Sequence, residues 1–259
     1  MSDLPSLFRL DGRVAMVSGA ASGMGRAMSL ALAQAGSSLL LMDRDAQGME
    51  ATAGQISQIG GRAVTTVCDV SSPDQIRAAY ALLDREFGRI DFLANVAGDG
   101  LLGKPESIPL SDVEQTWRNL VYGRFCSCQE AGIRMLRAGR GSIVNIGSLA
   151  SVTALGRGHI AYSMAMGAVA QMTRELAVEW SGRGVRVNAI LPAQVLNPGL
   201  EKRISADPSL RNRFLSGIPA NRLGDPRDIQ GLAVFLASDA SSWITGTLIP
   251  MDGGNLAMN

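Results

Sequence analysis

The chain has 259 residues, and its content of 46% hydrophobic and 18% charged side chains suits a globular protein with a sizeable core. A formal net charge of +1 gives no electrostatic reason to expect nucleic acid or an acidic membrane surface as a partner. No apolar run is long enough to cross a bilayer, and residues 1–11 lack the apolar core of a signal peptide, so we expect a cytoplasmic protein. Cys68, Cys126 and Cys128 match neither a disulfide framework nor a zinc site, so we expect reduced thiols and no metal.

Apolar runs of strand character alternate with segments of helical period along the chain. We predict strands at 14–18, 38–42, 63–68, 90–94, 142–146, 185–191 and 248–251. We predict helices at 24–35, 46–59, 73–87, 112–137 and 160–181. This alternation indicates an α/β fold with a parallel sheet covered by helices on both faces, in a single domain over residues 1–259.

One long connection interrupts the alternation. Residues 193–224 are mixed in polarity and include Pro198, Pro208 and Pro219. Because long connections in compact domains are usually functional, we predict a lid over the strand ends. A partly disordered loop is the alternative.

A glycine-rich turn, residues 18–25, follows the first predicted strand and opens the first predicted helix. Glycines there allow a tight turn and let backbone N–H groups approach a pyrophosphate at the positive end of the helix. Such turns are weak evidence alone, but the strand before and the helix after support a doubly wound, Rossmann-type dinucleotide site. The expected cofactor contacts in this turn are Gly19, Ser22, Gly23, Met24 and Gly25.

Polar residues follow the next strands. Asp43, directly after the second, would accept hydrogen bonds from the adenosine ribose and repel a 2′-phosphate, so we expect NAD rather than NADP. The alternative is that Asp43 only caps a turn. Asp69 and Val70, after the third strand, would hold the adenine edge or else simply start a helix. After the fourth come Asn95, whose main role we expect to be structural, and the cleft residues Ala97 and Gly98.

Together these motifs resemble the short-chain dehydrogenase/reductase family over nearly the whole chain. Further matching stretches are Ser148 after the apolar run 143–147, Tyr162, residues 185–189 and residues 244–254. The resemblance implies an NAD-dependent oxidoreductase that interconverts a secondary alcohol and a ketone of a small-molecule substrate. Tyr162 would exchange a proton with the substrate oxygen, Ser148 would hydrogen-bond that oxygen, and Pro192 would border the nicotinamide. The resemblance also implies a homotetramer, which two long helices with surplus apolar residues support.

The chain departs from the family pattern around Tyr162. Where the family has a lysine four residues after the tyrosine, this chain has Met166, which neither stabilises a phenolate nor binds a ribose. Leu120 replaces the family's active-site asparagine; Asn119, one residue earlier, would need a local bulge to point the same way. The family's Pro-Gly is Pro192-Ala193, and its threonine is Asn197.

These departures predict impaired or altered activity, with oxidation rising toward alkaline pH. Met166→Lys is then expected to raise turnover about 10 to 1000-fold, the effect of a cation next to a phenol. His159 and Arg157 are candidate substitutes for the missing cation, although a helix-start residue is the plainer role for His159. Two other functions stay open: an NAD-binding protein without redox turnover, and non-redox catalysis by Ser148 and Tyr162.

Overall fold

Seven strands form one parallel sheet in the computed structural model, which describes residues 3–258; Met1, Ser2 and Asn259 of the predicted domain lie outside the described residues. The strands are β1 Val14–Ser18, β2 Ser38–Asp43, β3 Ala63–Val67, β4 Phe92–Asn95, β5 Gly141–Ile146, β6 Val185–Pro192 and β7 Leu248–Met251. Their order in the sheet is β3-β2-β1-β4-β5-β6-β7. The chain therefore runs outward from β1 in one direction, returns, and continues outward from β4 in the other, as predicted for a doubly wound fold.

Helices cover both faces of the sheet. The α-helices are α1 Leu4–Leu7, α2 Gly23–Gln34, α3 Ala46–Gln58, α4 Pro73–Phe87, α5 Leu110–Trp117, α6 Gly123–Ala138, α7 Ile160–Ser181, α8 Pro198–Ala206, α9 Ser209–Leu215 and α10 Gln230–Ala237. Short 3₁₀ turns lie at Leu149–Ser151, Pro226–Ile229, Asp239–Ser241 and Asn255–Met258. No helix within residues 3–258 is long and apolar enough to span a bilayer.

Alternate residues of each central strand enter two separate cores. In β1, Ala15 and Val17 pack with α2, α3 and α10, whereas Val14 and Met16 pack with α4, α6 and α7. Side chains of a strand alternate between its faces, and both faces here are covered, so the inner strands are apolar throughout. Most predicted bounds hold to within one or two residues, and those of β1, β7, α4 and α7 are the predicted ones.

The predicted helix 112–137 is two helices with a π-helical segment, Arg118–Tyr122, between α5 and α6. The Gly123 N–H donates to the carbonyl of Arg118, five residues back, which inserts one extra residue into the turn. A side chain at Gly123 has no room, because a Cβ there would lie 1.8 Å from the Val70 oxygen. The helix thus changes its winding where the loop after β3 crosses it.

Residues 193–224 form a helical insertion at the ends of β6 and β7. They contain α8 and α9, and a bridge between Val195 and Gly224 joins the two ends of the segment. Leu200, Leu210 and Phe214 pack with each other in an apolar cluster of their own. The segment therefore has its own small core.

Candidate active site

The carboxyl ends of β1 and β4 are held together by a serine hydroxyl and a glycine. The Ser18 Oγ accepts hydrogen bonds from the Val96 and Ala97 N–H groups, at 3.0 and 3.1 Å. A Cβ on Gly19 would lie 3.0 Å from the Ala97 nitrogen, and Gly19 has φ +72°, so only glycine fits this contact. The predicted cleft residues Gly19, Ala97 and Gly98 thus lie at one edge of the sheet.

The glycine turn leaves the start of α2 accessible to an anion. A Cβ on Gly25 would lie 2.0 Å from the Gly19 oxygen, so the turn packs directly onto the helix. Ser22 precedes α2 but makes no capping hydrogen bond, and Met24 packs on the core. The first N–H groups of a helix need partners, and a pyrophosphate supplies them, so this turn fits a dinucleotide.

Asp43 is tied to the glycine turn. Its carboxylate accepts hydrogen bonds from the Ala21 N–H at 3.0 Å and the Asp45 N–H at 3.1 Å. The turn-capping role is therefore present, but a carboxylate has about four lone-pair sites and retains capacity for a ribose. Arg44, beside it, is exposed.

Asp69 and Val70 lie in the loop that leads from β3 to α4. The Asp69 carboxylate accepts hydrogen bonds from the Ser71 N–H and hydroxyl, at 2.9 and 2.8 Å, and the backbone bond in particular lowers the pKa of Asp69. This is the turn-forming role of an aspartate. Val70 touches α6 through its carbonyl at Gly123.

Asn95 points into the interior rather than into the cleft. Its amide donates to Asn145 Oδ1 at 3.0 Å and to the Cys128 sulfur at 3.3 Å. The Asn145 amide in turn donates to the Thr173 hydroxyl at 3.1 Å, so the chain of polar contacts links β4, β5, α6 and α7. The structural role expected for Asn95 is the one observed.

The two catalytic candidates lie after β5 and at the start of α7. Buried Ser148 starts the turn Leu149–Ser151, and its Oγ accepts the Ala150 N–H at 3.2 Å. That leaves the hydroxyl hydrogen available to a substrate oxygen. Tyr162 is half-buried and packs in the same apolar cluster as Ala150.

Apolar side chains surround Tyr162. Leu120 and Met166 are each 1% exposed and share one cluster with the tyrosine. The π-helical segment supplies a bulge, but the Asn119 amide donates to the Asp99 carbonyl at 3.2 Å, and Leu120 is the buried residue. Neither Leu120 nor Met166 can carry a proton or a charge.

The two candidate substitute cations each make contacts of their own. The His159 Nδ1 lies 2.7 Å from the Gly156 carbonyl, and its ring meets the Tyr162 ring edge-on at 6.2 Å. Exposed Arg157 has φ +54° and lies over the Phe214 ring, 6.0 Å from its centre. His159 is thus a neighbour of Tyr162 held by its own loop, and Arg157 is directed toward α9.

Arg124 is the residue that the sequence analysis missed. It lies in the first turn of α6 and is only 4% exposed. Its guanidinium donates to the carbonyl of Ile146, the last residue of β5, and, at 3.3 Å, to the carbonyl of Ala97, in the loop after β4. Burial lowers the pKa of Arg124 to about 10, while Tyr162 and Cys128 act in the opposite direction. The sequence does contain one indication of its position. Arg124 lies four residues before Cys128, so the two side chains share one face of a helix.

The end of β6 borders the same edge. Pro192 is buried and pairs with Met251 of β7, and the Ala193 N–H donates to the Met251 carbonyl at 3.1 Å. Asn197 caps α8 by accepting the Leu200 N–H at 3.0 Å. Its Cβ would be 3.7 Å from a Cβ built on Gly23, so the segment 193–224 extends to the glycine turn.

Comparison with known proteins agrees with this geometry. A family model described as enoyl-(acyl carrier protein) reductase matches residues 19–255. A D-threitol dehydrogenase of Mycolicibacterium smegmatis is 42% identical, over 95% of this chain and 94% of its own length. The chain belongs to the short-chain dehydrogenase/reductase family. As a member of this family it is an oxidoreductase, and its relatives include alcohol and polyol dehydrogenases.

Relatives in this family differ in their cofactor. An NAD-dependent glycerol dehydrogenase of Listeria innocua is 36% identical, over 95% of each chain. A crystal structure from Agrobacterium tumefaciens, described as a candidate 2-deoxy-D-gluconate 3-dehydrogenase with bound NADP, is 32% identical with a TM-score of 0.89 and covers 97% of this chain and 99% of its own. Family membership therefore establishes a nicotinamide dinucleotide and leaves the choice between NAD and NADP to the residues around Asp43.

His159→Phe tests whether the histidine acts as an acid or base. Because its ring is held by the Gly156 carbonyl and packs on Tyr162, a phenyl ring should preserve the packing, and kcat should fall less than about tenfold. Loss of a true general acid or base costs about 100 to 10,000-fold. Steady-state alcohol oxidation at several pH values measures this, and a loss in the larger range would assign His159 to proton transfer.

Proposed function

We propose that this protein is an NAD-dependent dehydrogenase that interconverts a secondary alcohol and a ketone, with small polyols as the first substrates to test. The observation that carries the proposal is that Ser148 follows β5 at the same edge of the sheet as the glycine turn after β1, and that Tyr162 shares an apolar cluster with Ala150, two residues after Ser148. Relatives that act on D-threitol and glycerol support the substrate class. Exposed Leu101, Leu102 and Val152 give the surroundings an apolar part as well.

Each part of the cleft has a task in this proposal. Bound NAD would supply the hydride acceptor. The turn around Gly23 and the start of α2 would hold the pyrophosphate, and Asp43 the adenosine ribose. Ser148 would donate a hydrogen bond to the substrate oxygen and fix its position. Tyr162 would accept the proton of that hydroxyl during oxidation and return it during reduction. Residues 193–224 would close over the substrate as a lid and exclude water.

NAD binding without turnover is the second candidate function. It is favoured by the apolar character of Leu120 and Met166, two positions next to Tyr162 that carry no charge or proton. The same experiments distinguish it, since it requires NAD affinity with no hydride transfer to any substrate. The cytoplasmic location expected from the sequence stays a prediction.

The first test is alcohol oxidation with NAD across a panel of polyols and simple secondary alcohols, followed by NADH absorbance. We expect turnover with at least one polyol, and a loss of at least about 100-fold in kcat for Tyr162→Phe and for Ser148→Ala, because each removes a group that contacts the reacting oxygen. Calorimetric NAD affinity should stay unchanged in both variants. Tight NAD binding with no turnover on any member of the panel would favour the second candidate.

The cofactor preference is tested by Asp43→Ala. Because a hydrogen bond to a charged group contributes about 1.5–3 kcal/mol, NAD should bind about 10 to 100-fold more weakly. The affinity for NADP should rise, because the Asp43 carboxylate no longer repels its 2′-phosphate. Calorimetric titration of both cofactors measures the ratio. Asp45→Ala, which removes the adjacent carboxylate that caps α3, is the control and should leave the ratio unchanged. Equal affinity of the unmodified protein for NAD and NADP would contradict the assignment.

The protein is also proposed to be a homotetramer. Large apolar side chains lie exposed on α6 and α7 or next to them, including Tyr122, Phe125, Ile133 and Val178. Trp243 is 97% exposed near the end of the chain. Buried apolar surface is the main favourable contribution to association, so these residues are suited to contacts between copies. Light scattering at micromolar concentration should give about four chain masses, and a species of one chain mass alone would contradict the proposal.

A further inference from the structure

The interior of the active site contains one positive charge that no described carboxylate neutralises. Arg124 is buried beneath the loop after β4, and its hydrogen-bond partners are two backbone carbonyls, those of Ile146 and Ala97. Its Nε is buried without a hydrogen-bond partner in residues 3–258. A Cβ built on Gly98 would lie 3.5 Å from an Arg124 nitrogen, so the guanidinium lies directly under the cleft.

Such an arrangement costs stability. A buried charge is tolerated when it is paired and hydrogen-bonded, and an unpartnered polar group in the interior calls for an explanation. Most buried arginines solve the problem with a carboxylate. Arg124 has only carbonyl dipoles, although its pKa of about 10 keeps it cationic at neutral pH. The charge therefore acts on its surroundings with little compensation.

Tyr162 is the group that can respond to this charge. Two residues, Tyr162 and Cys128, favour the Arg124 cation when they are ionised. Burial raises the pKa of Cys128 to about 12. Gly100 lies next to the tyrosine ring and to Leu120, because a Cβ built on it would be 2.8 Å from Tyr162 Cδ2 and 3.4 Å from a methyl carbon of Leu120. Tyr162, Leu120 and Arg124 thus line the underside of the same short loop.

We propose that Arg124 is a positioning residue of the reaction: its guanidinium, held between the ends of β4 and β5, supplies the positive charge that stabilises the phenolate of Tyr162. The proposal rests on the proposed function for its role in turnover. Bound nicotinamide would supply the acceptor for the hydride that leaves the alcohol carbon during oxidation, and the Tyr162 phenolate would accept the O–H proton. Reduction returns both. Arg124 itself neither gains nor loses a proton.

Other groups near the tyrosine have to be separated from this effect. His159 meets the Tyr162 ring from the start of α7, and the exposed Asp99 carboxylate lies next to Gly100, where it accepts that residue's N–H at 2.8 Å. Cys128 faces Arg124 from the next turn of α6 and stays a neutral thiol in the working range. The remaining contacts, Leu120 and Met166, are apolar. Arg124 is the cation with the most buried position in this set.

The test is an ultraviolet titration of tyrosinate absorption in the full-length protein without cofactor or substrate. Subtracting the Tyr162→Phe spectrum isolates Tyr162, because exposed Tyr122 contributes equally to both and burial raises the pKa of Tyr80 far above the accessible range. In Arg124→Gln, which keeps a donor for the carbonyls but has no charge, the Tyr162 signal should appear about 1–3 pH units higher. Arg124→Lys should restore most of the shift. His159→Phe and Asp99→Asn measure how far each of these two titratable neighbours shifts the Tyr162 signal.

Arg186→Met is the matched structural control. Burial also lowers the pKa of Arg186, and its guanidinium also donates to two carbonyls, those of Leu236 and Ser238. Arg186 differs in its place, since it lies at the amino end of β6. Its loss should lower the melting temperature without moving the Tyr162 signal. If Arg124→Gln does not fold, Arg124→Lys and Arg124→Met with thermal melting take its place. An unchanged Tyr162 titration in a folded Arg124→Gln protein, or an equal shift in Arg186→Met, overturns the proposal. Because no turnover is measured, this outcome is independent of whether the protein oxidises any alcohol.

Discussion

The parallel direction of the strands is the constraint on which the site depends. Parallel strands place all their carboxyl ends at one edge of the sheet, and the order β1-β4-β5-β6 makes neighbours of four chain segments that are far apart in sequence. The glycine turn follows β1, Ala97 follows β4 and Ser148 follows β5. A serine hydroxyl and the absence of a side chain at Gly19 then draw the first two ends together. The cleft is a consequence of strand order and of close backbone contact.

Below this edge the interior is divided into a polar and an apolar part. Asn95, Asn145 and Thr173 form a satisfied chain of hydrogen bonds across two strands and a helix. Leu120 and Met166 form a dry patch against Tyr162. A charge near such a patch is less screened than one in water, so a single guanidinium there has a strong effect on a neighbouring phenol. Leu120, Met166 and the buried Arg124 are thus parts of one arrangement.

The fold could be predicted because its signals are local. Continuous apolar runs, helical periods and the glycine spacing each depend on a few neighbouring residues, and β1, α4 and α7 have the predicted bounds. The bounds of the π-helical segment could not, because the segment ends where Gly123 meets the Val70 carbonyl of a loop that is distant in sequence. Arg124 was missed for a related reason. Its importance comes from two carbonyls, one at the end of β5 and one in the loop after β4, and nothing next to it in the sequence indicates them.

A substitution at residue 166 distinguishes a charge on Tyr162 that comes from α6 from one that comes from α7. Met166→Lys should be made in the natural protein and in Arg124→Met, and the pH dependence of alcohol oxidation compared. If Arg124 already supplies the charge, the added lysine faces a second cation and should not raise kcat in the natural protein. Arg124→Met alone should lower kcat about 10 to 1000-fold, and adding Met166→Lys should recover much of that loss. A gain of that size from Met166→Lys in the natural protein would show that Tyr162 lacks a cation there, as the sequence alone predicts, and that Arg124 does not supply it.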